Sequence, residues 1–152
     1  MAQPVLLALS SFRHTEAVVA HALELCAERT APLVVVFVVD VNLARYFVGS
    51  DVMAGTSLRE LMEQGILDDH KRQAQEALSR VCALAREHGL PCTAVLRVGR
   101  FAQEIKAAAR EHAPAVIVLT RARRPEWLRR VFGSPVDRLC QELGGQCDVW
   151  VV

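Results

Sequence analysis

The feature of this sequence that most constrains its fold is a series of short apolar runs separated by segments with helical periodicity. Two of the runs, Pro4 to Leu9 and Leu33 to Val39, consist almost entirely of aliphatic residues. A run of this kind predicts a strand that is covered on both faces. Strands that alternate with helices indicate an open parallel sheet with helices on both faces, joined by right-handed crossovers. We therefore expect an α/β fold.

The same alternation continues to the end of the chain. Three further strands are predicted at Pro91 to Val98, Ala115 to Leu119 and Asp148 to Val152, and four helices at His14 to Arg29, Leu58 to His88, Phe101 to His112 and Pro135 to about Leu143. The third strand alternates more than the others, which places it near an edge of the sheet. The segment from Leu58 to His88 is predicted to be one long helix or two in series, with Gly65 as the position of a break or kink and Gly89 as the end.

Length and composition limit the class of protein. The 152 residues, 52% of them hydrophobic, correspond to a single domain spanning residues 1–152. With 18 basic and 17 acidic side chains the net charge is +1, which argues against binding to nucleic acid or to an anionic bilayer surface. The longest apolar stretch, Ala31 to Val39, is far shorter than the ~20 residues that a membrane-spanning helix requires. No secretory signal precedes it, so we expect a cytoplasmic protein.

The residues that could carry chemistry form no recognised catalytic or metal-binding pattern. The five cysteines are odd in number and contain no C-x-x-C pair, which predicts free thiols that are buried or half-buried, with Cys147 the one that could be exposed. The five histidines are scattered, so we expect neither a metal nor a cofactor. Asp68-Asp69-His70 occupies consecutive helical positions whose side chains point in different directions. Motifs of familiar hydrolases and nucleotide-binding loops are absent, so an enzyme is not expected.

A candidate ligand site follows from the predicted sheet, because ligands of open α/β sheets bind beyond the carboxyl ends of the strands. These ends carry Ser10, Val38 to Asp40 and the segment from Thr120 to Ser134. That segment contains a basic loop with Arg121, Arg123, Arg124, Arg129 and Arg130. It ends at Gly133-Ser134-Pro135, where Ser134 is the expected N-cap of the last helix. Residues 42–57 have no sustained period, so we expect a long connection there, with room for a short helix.

The sequence resembles the universal stress protein family from about Val5 to Val152. The resemblance rests on the ordered set Val-Leu-Leu-Ala-Leu-Ser, Val-Val-Phe-Val-Val-Asp, Val98-Gly99-Arg100, and a final block from Ala-Val-Ile-Val-Leu-Thr through Gly133-Ser134 to Cys-Asp-Val-Trp-Val-Val. It implies a five-stranded flavodoxin-like sheet, of the adenine nucleotide alpha hydrolase-like type with strand order 3-2-1-4-5. It also implies a role in stress response and a homodimer built through the last strand.

One branch of the family binds ATP through an aspartate after the first strand and a G-x-x-G, nine residues, G-[ST] motif after the fourth. Measured back from Gly133-Ser134, the two leading glycines of that motif are replaced by Thr120 and Arg123, and the aspartate is replaced by Ser10. Arginine resists the positive φ and the close backbone approach that a triphosphate requires. Pro135 also lacks the N–H that a helix start would offer to a phosphate. We therefore assign the chain to the branch that does not bind ATP.

Two further expectations concern partners. The arginines of the basic loop could hold a nucleotide or another phosphate compound by their side chains, which is the alternative to a domain that acts only through protein contacts. Asp148 to Val152 is short, apolar and terminal, and an edge strand of this kind can pair with its own copy. The predicted dimer contacts are Val149, Trp150 and Val151, with Trp150 contributing most. Trp150 could instead only cover a helix of its own domain.

Overall fold

The computed structural model describes residues 2–11, 13–40, 56–120, 135–145 and 147–152, without the side chains of 56–63 and 135–138. Along these residues the chain forms alternating strands and helices: β1 (Val5–Ser10), α1 (Glu16–Arg29), β2 (Leu33–Asp40), α2 (Thr56–Glu87), β3 (Cys92–Gly99), α3 (Phe101–His112), β4 (Val116–Leu119), α4 (Pro135–Leu143) and β5 (Asp148–Val151). This order is the one that the sequence predicts.

The strands form a five-stranded sheet in the order β3-β2-β1-β4-β5. Every neighbouring pair is parallel, with Ser10 of β1 opposite Val38 of β2 and Val5 of β1 opposite Val116 of β4. The predicted open parallel sheet and its 3-2-1-4-5 order are confirmed. Because β1 lies between β2 and β4, the strands β2 and β3 are added on one side of β1, and β4 and β5 are added on the other side.

Burial on both faces explains why the central strands are apolar throughout. All residues of β1 and β2 are buried. In β1, Leu7 and Leu9 pack into a cluster with α1 and α2, whereas Leu6 and Ala8 pack into a second cluster with α3 and α4. Helices on both sides thus remove water from alternate side chains of the same strand, and a strand in that position has no polar face.

The two outer strands are more exposed. No residue of β3 is fully buried, and β3 pairs with β2 alone among the described strands, so the predicted edge position is confirmed. At the opposite edge β5 pairs with β4, and Trp150, Val151 and Val152 remain about two-fifths exposed, at 41%, 39% and 43%. The sheet therefore presents one long and one short edge.

Helix α1 begins two residues later than His14, the start that periodicity predicts. Thr15 has an extended backbone, and its Oγ1 accepts a hydrogen bond of 3.2 Å from the N–H of Val18. This contact satisfies one of the free N–H groups of the first turn, which is why the helix begins at Glu16. Thr30 ends α1 in the left-handed conformation with φ 52°.

Of the two predicted alternatives, one long helix or two in series, the structure has the first, without a break at Gly65. Helix α2 continues through Gly65, and a Cβ built there would have no neighbour within 4 Å. One interior glycine costs a helix about 1 kcal/mol, which the packing of the long apolar stripe after it outweighs. The predicted end at Gly89 is confirmed, because Gly89 adopts φ 69° and its N–H bonds to the carbonyl of Arg86.

The described cysteines are free, as expected: Cys26 and Cys82 are buried, and Cys92, Cys140 and Cys147 are half-buried. Cys147, the one that could have been exposed, is half-buried and packs against the α3 and α4 cluster. Of the helices in the described part of the chain, none combines the length and the apolar character that crossing a bilayer would take.

Candidate functional site

The carboxyl edge of the sheet near β1 is the candidate site, because the strand order reverses between β1 and β4. Three polar side chains lie buried at this edge: Ser10 at the end of β1, Asp40 at the end of β2 and Thr120 directly after β4, with exposed fractions of 1%, 8% and 9%. The structure thus brings together three of the positions that the sequence indicates. All three are withdrawn from solvent.

Ser10 is held by a tight turn that the chain makes on leaving β1. The backbone N–H of Arg13 donates to the Ser10 carbonyl at 3.0 Å, and the Ser10 N–H donates to the Arg13 carbonyl at 3.3 Å. The Arg13 side chain folds back along this bridge, so that its Nη1 donates to Ser10 Oγ at 3.5 Å. The end of β1, for which the resemblance implies a carboxylate in ATP-binding relatives, therefore carries a hydroxyl that faces a guanidinium.

Arg13 is only 2% exposed, although it lies in a connecting segment. Its guanidinium carbon lies 4.2 Å from the centre of the Phe101 ring. A cation above an aromatic face is attracted by the negative face of the ring, and the attraction is stronger where water is excluded. Phe101 is the first residue of α3 and is itself 2% exposed. The contact therefore joins the end of β1 to the start of α3 across the candidate site.

Thr120 and Val38, two further predicted site positions, also make their contacts within the domain. Thr120 Oγ1 donates a hydrogen bond of 2.8 Å to the carbonyl of Val152, so its hydroxyl fastens the end of the chain beside β4. Val38 is fully buried, and its side chain packs in the cluster below α3 and α4. Both residues act in the described structure as parts of the core and the sheet.

His14, next in the chain after Arg13, contacts the opposite side of the sheet. Its ring meets Phe37 edge-on, with 6.3 Å between the ring centres. Partial burial, together with the nearby charge of Arg80, lowers the pKa of His14. In the short segment after β1, the Arg13 side chain therefore lies on the α3 side of the sheet and the His14 side chain on the α1 and α2 side.

A second charged group, the guanidinium of Arg97, holds α3 against β3. Arg97 of β3 pairs with Glu104 at 3.2 Å and with Glu111 at 2.5 Å, so one guanidinium spans two turns of α3. Pairing with these carboxylates raises the pKa of Arg97 and lowers that of Glu111. A Cβ at Gly99 would lie 2.5 Å from Glu104 Oε1, so the glycine leaves room for this carboxylate.

The remaining predicted site residues lie outside the described residues. These are Arg123, Gly133 and Ser134, together with the rest of the basic loop from Arg121 to Arg130. Residues 42–55 also lie outside, whereas residues 56 and 57 belong to α2. Pro135 is the first residue of α4, as predicted.

The described geometry does not activate Ser10 as a nucleophile. Its hydroxyl is paired with a guanidinium, which remains protonated and cannot take up a proton from the serine. Asp68 and Asp69 make separate contacts, with Gln64 at 3.0 Å and with Arg72, so they form no relay with His70. Within residues 2–11, 13–40, 56–120 and the described part of the last segment, no three His, Cys, Asp or Glu side chains are grouped to hold a metal ion.

Sequence reasoning missed Arg13 and Phe101. An arginine between a strand and a helix is ordinarily assigned to solvent, and a phenylalanine at a helix start is assigned to the core. Only the loop position of Arg13, directly after the predicted site residue Ser10, could have suggested a role. The contact itself depends on a crossover that brings α3 to the end of β1.

Comparison with known proteins agrees with this architecture. A sequence profile described as the Universal stress protein family matches residues 1–152. A search of curated proteins finds no match.

Solved structures share the fold at low sequence identity. A universal stress protein family member from Burkholderia pseudomallei is 19% identical, with TM-score 0.64 over 97% of this chain and 94% of its own. The universal stress protein UspA from Lactobacillus plantarum is 16% identical, with TM-score 0.69 over 100% and 99%. A universal stress protein in complex with cAMP is 13% identical, with TM-score 0.63 over 100% and 98%. At these identities the likeness concerns the fold.

Proposed function

The chain belongs to the universal stress protein family, and we propose that it is a non-catalytic member that does not bind ATP. In this proposal it acts in the cytoplasm, in stress response, as a homodimer that contacts other proteins. The near-neutral net charge of +1 favours protein partners over nucleic acid or a bilayer surface.

The observation that carries the proposal is the contact of Ser10 with Arg13. A carboxylate after β1 would accept hydrogen bonds from a ribose, whereas this position offers a serine hydroxyl that is 1% exposed and faces a guanidinium at 3.5 Å. The guanidinium is itself stacked on Phe101. A nucleotide that used this place would have to displace Arg13 from the ring, and the buried cation would lose that contact.

The dimer is proposed through β5. This strand pairs with β4 on one side, and its apolar residues Trp150 and Val151 are 41% and 39% exposed. An antiparallel pair of two β5 strands would be self-complementary, so a twofold axis would close the edge. Val149 is half-buried against the α3 and α4 cluster, so it would contribute through its backbone. Trp150 also packs on His21 of α1, with 5.4 Å between the ring centres, and this contact would orient it.

Thermal unfolding with and without MgATP tests the absence of ATP binding. A ligand that binds only the folded protein stabilises it by about 2.7 kcal/mol at one hundred times its dissociation constant. We expect no change in the unfolding midpoint at millimolar MgATP. A clear upward shift would contradict the proposal.

The alternative is a sensor for a phosphate-bearing ligand, which the arginines of the basic loop from Arg121 to Arg130 favour. The thermal-unfolding assay with tripolyphosphate and with adenosine tests this alternative. A site made of arginine side chains would raise the unfolding midpoint with tripolyphosphate and not with adenosine, whereas a domain without a phosphate site would respond to neither. Such a shift should disappear in Arg123→Ala/Arg124→Ala. It should persist in Arg29→Ala/Arg86→Ala, which removes two exposed arginines from α1 and α2.

A further inference from the structure

The outer edge of β5 offers the backbone groups of two residues for pairing. The N–H groups of Asp148 and Val152 point toward β4 and bond to carbonyls on that side at 3.2 Å and 2.8 Å. Successive residues of a strand direct their backbone groups to opposite sides, so Trp150 also faces β4, whereas Val149 and Val151 face away from it. No strand of the described part of the chain lies beyond β5. Its edge therefore presents the N–H and carbonyl groups of Val149 and Val151.

The available groups select a register for pairing with a second copy. If the twofold axis passes at Trp150, Val149 of each copy lies opposite Val151 of the other, and all their outward N–H and carbonyl groups find partners. An axis at Val149 would place Val151 opposite Cys147. The N–H of Cys147 already bonds to the carbonyl of Leu143 at 3.1 Å, so the Val151 carbonyl would lack a donor. Of these two registers, the one about Trp150 satisfies the edge.

This register brings two indole rings together. Opposite residues of a non-hydrogen-bonded antiparallel pair lie about 4.5 Å apart between Cα atoms, with their side chains on the same face of the sheet. Trp150 would therefore lie beside Trp150 of the second copy. In one copy the indole is 41% exposed, and it packs on His21 of α1 with 5.4 Å between the ring centres and 37° between the ring planes. Two copies would form a row of four rings, with a His21 at each end.

We infer that β5 of a second copy pairs antiparallel with β5 about an axis at Trp150, and that His21 is the positioning residue that holds the indole toward its counterpart. The inference rests on the proposed dimer and specifies its register. An edge whose free groups match their own copy favours a second copy over an extended segment of another protein.

His21 is placed by its helix and acts through its ring. Helix α1 buries Val18, Ala22 and Leu25 in the cluster on β1 and β2, which fixes the side of α1 that carries His21. The Nε2 atom of His21 is buried, and no hydrogen-bond partner for it lies within the described residues. The contact with Trp150 is therefore one between ring surfaces. An indole held before association loses less conformational freedom when the dimer forms.

Disulfide trapping in the full chain tests the register. Val149→Cys and Val151→Cys both keep Trp150, and cleavage before aspartate isolates the segment from Asp148 to Val152, which has no native cysteine. Opposite residues of a hydrogen-bonded pair lie about 5.5 Å apart between Cα atoms, within the reach of a disulfide. We expect oxidation to join two such segments when the two variants are co-expressed, and not in either variant alone. A link within one variant alone, or a wild-type dimer whose co-expressed variants give no link, would overturn the register.

Sedimentation over a range of concentrations tests His21. His21→Ala removes two ring contacts from each dimer, so we expect the dimer dissociation constant to rise about tenfold. His21→Phe should restore most of the affinity, because the contact needs a ring and no hydrogen bond. His112→Ala is the matched control, since it also replaces a half-buried histidine but lies on α3, and it should leave the constant unchanged.

The possible failures can be told apart. Equal dissociation constants for the wild-type and His21→Ala chains would overturn the role of His21, and an equal loss in His21→Phe would show that the ring contact is not what matters. A wild-type chain that is a folded monomer at every concentration would refute the proposed dimer itself, and the register with it.

Discussion

The guanidinium of Arg13 lies 4.2 Å from the centre of the Phe101 ring, and both residues are 2% exposed. The two residues belong to the segment after β1 and to the first turn of α3. Their contact closes the carboxyl edge of the sheet at the point where the strand order reverses. A cation of the protein thus lies buried at the sheet edge where ligands of open α/β sheets generally bind.

Arg13→Ala should destabilise the protein substantially. It removes the cation from the Phe101 face, removes a hydrogen bond from Ser10, and leaves a space in a dry environment. We expect a loss of about 2–4 kcal/mol in the free energy of unfolding, measured by urea denaturation. Arg13→Lys should restore only part of it, because an ammonium lacks the planar fork. Arg29→Ala, an exposed control, should change stability by about 0.5 kcal/mol or less. Equal effects of the Arg13→Ala and Arg29→Ala changes would contradict this account.

Ser10→Asp should not create a nucleotide site. The new carboxylate would lie beside Arg13, whose Nη1 is 3.5 Å from the present hydroxyl, and the two charges would pair with each other. Calorimetric titration with MgATP should therefore show no binding for Ser10→Asp, and none for Arg123→Gly. Micromolar affinity in either single variant would show that the separate departures from the ATP-binding pattern are not all required.

Gly99→Ala and Gly65→Ala should change stability in opposite directions. A Cβ at Gly99 would meet Glu104 Oε1 at 2.5 Å and displace it from Arg97, at a cost of about 1 kcal/mol. A Cβ at Gly65 has no neighbour within 4 Å and lies inside α2, so the alanine should stabilise by about 0.5–1 kcal/mol.

A Glu104→Ala background provides the control for Gly99. With the Glu104 side chain removed, the alanine at Gly99 should cost clearly less than in the wild-type chain. If the cost is the same in both backgrounds, the close approach of Glu104 is not what requires a glycine here.

Trp150→Glu should separate the proposed dimer into folded monomers. Trp150 is 41% exposed on β5, and a carboxylate there would face its own copy across the twofold axis. Leu84→Glu on α2 is the matched control, because Leu84 has the same exposed fraction of 41%. Sedimentation at micromolar concentration should give near twice 16.8 kDa for the wild-type and Leu84→Glu chains. A folded wild-type monomer would defeat the prediction.

His14 should make stability depend on pH in the acidic range. Its pKa in the folded protein is lowered from 6.5 by burial and by Arg80, so the unfolded chain binds a proton more readily. The stability that depends on neutral His14 is fully present above pH 6.5, and it is lost as the pH falls toward the lowered pKa of His14 in the folded protein. His14→Gln should flatten the increase in stability between about pH 5 and pH 7, measured by urea unfolding. An unchanged slope would contradict the assignment to His14.

The sequence alone was enough to predict the order of elements and the parallel sheet. The reason is local: Val5 to Leu9 and Leu33 to Val39 are apolar throughout and rich in β-branched residues, as expected of strands covered on both faces. The edge position of β3 followed in the same way from its alternation. Whether Gly65 interrupts the long helix was left open, because a local helix penalty of about 1 kcal/mol says nothing of the packing that opposes it.

The character of the candidate site was decided by the tertiary structure. Ser10 and Thr120 could be located from their positions after strands, but their partners could not. Ser10 is engaged by Arg13 because the chain turns back on itself, and Arg13 is buried because a crossover places Phe101 above it. Thr120 bonds to Val152 because β5 returns beside β4. Periodicity describes which face of an element is apolar, whereas the burial of a charge depends on what distant segments bring to it.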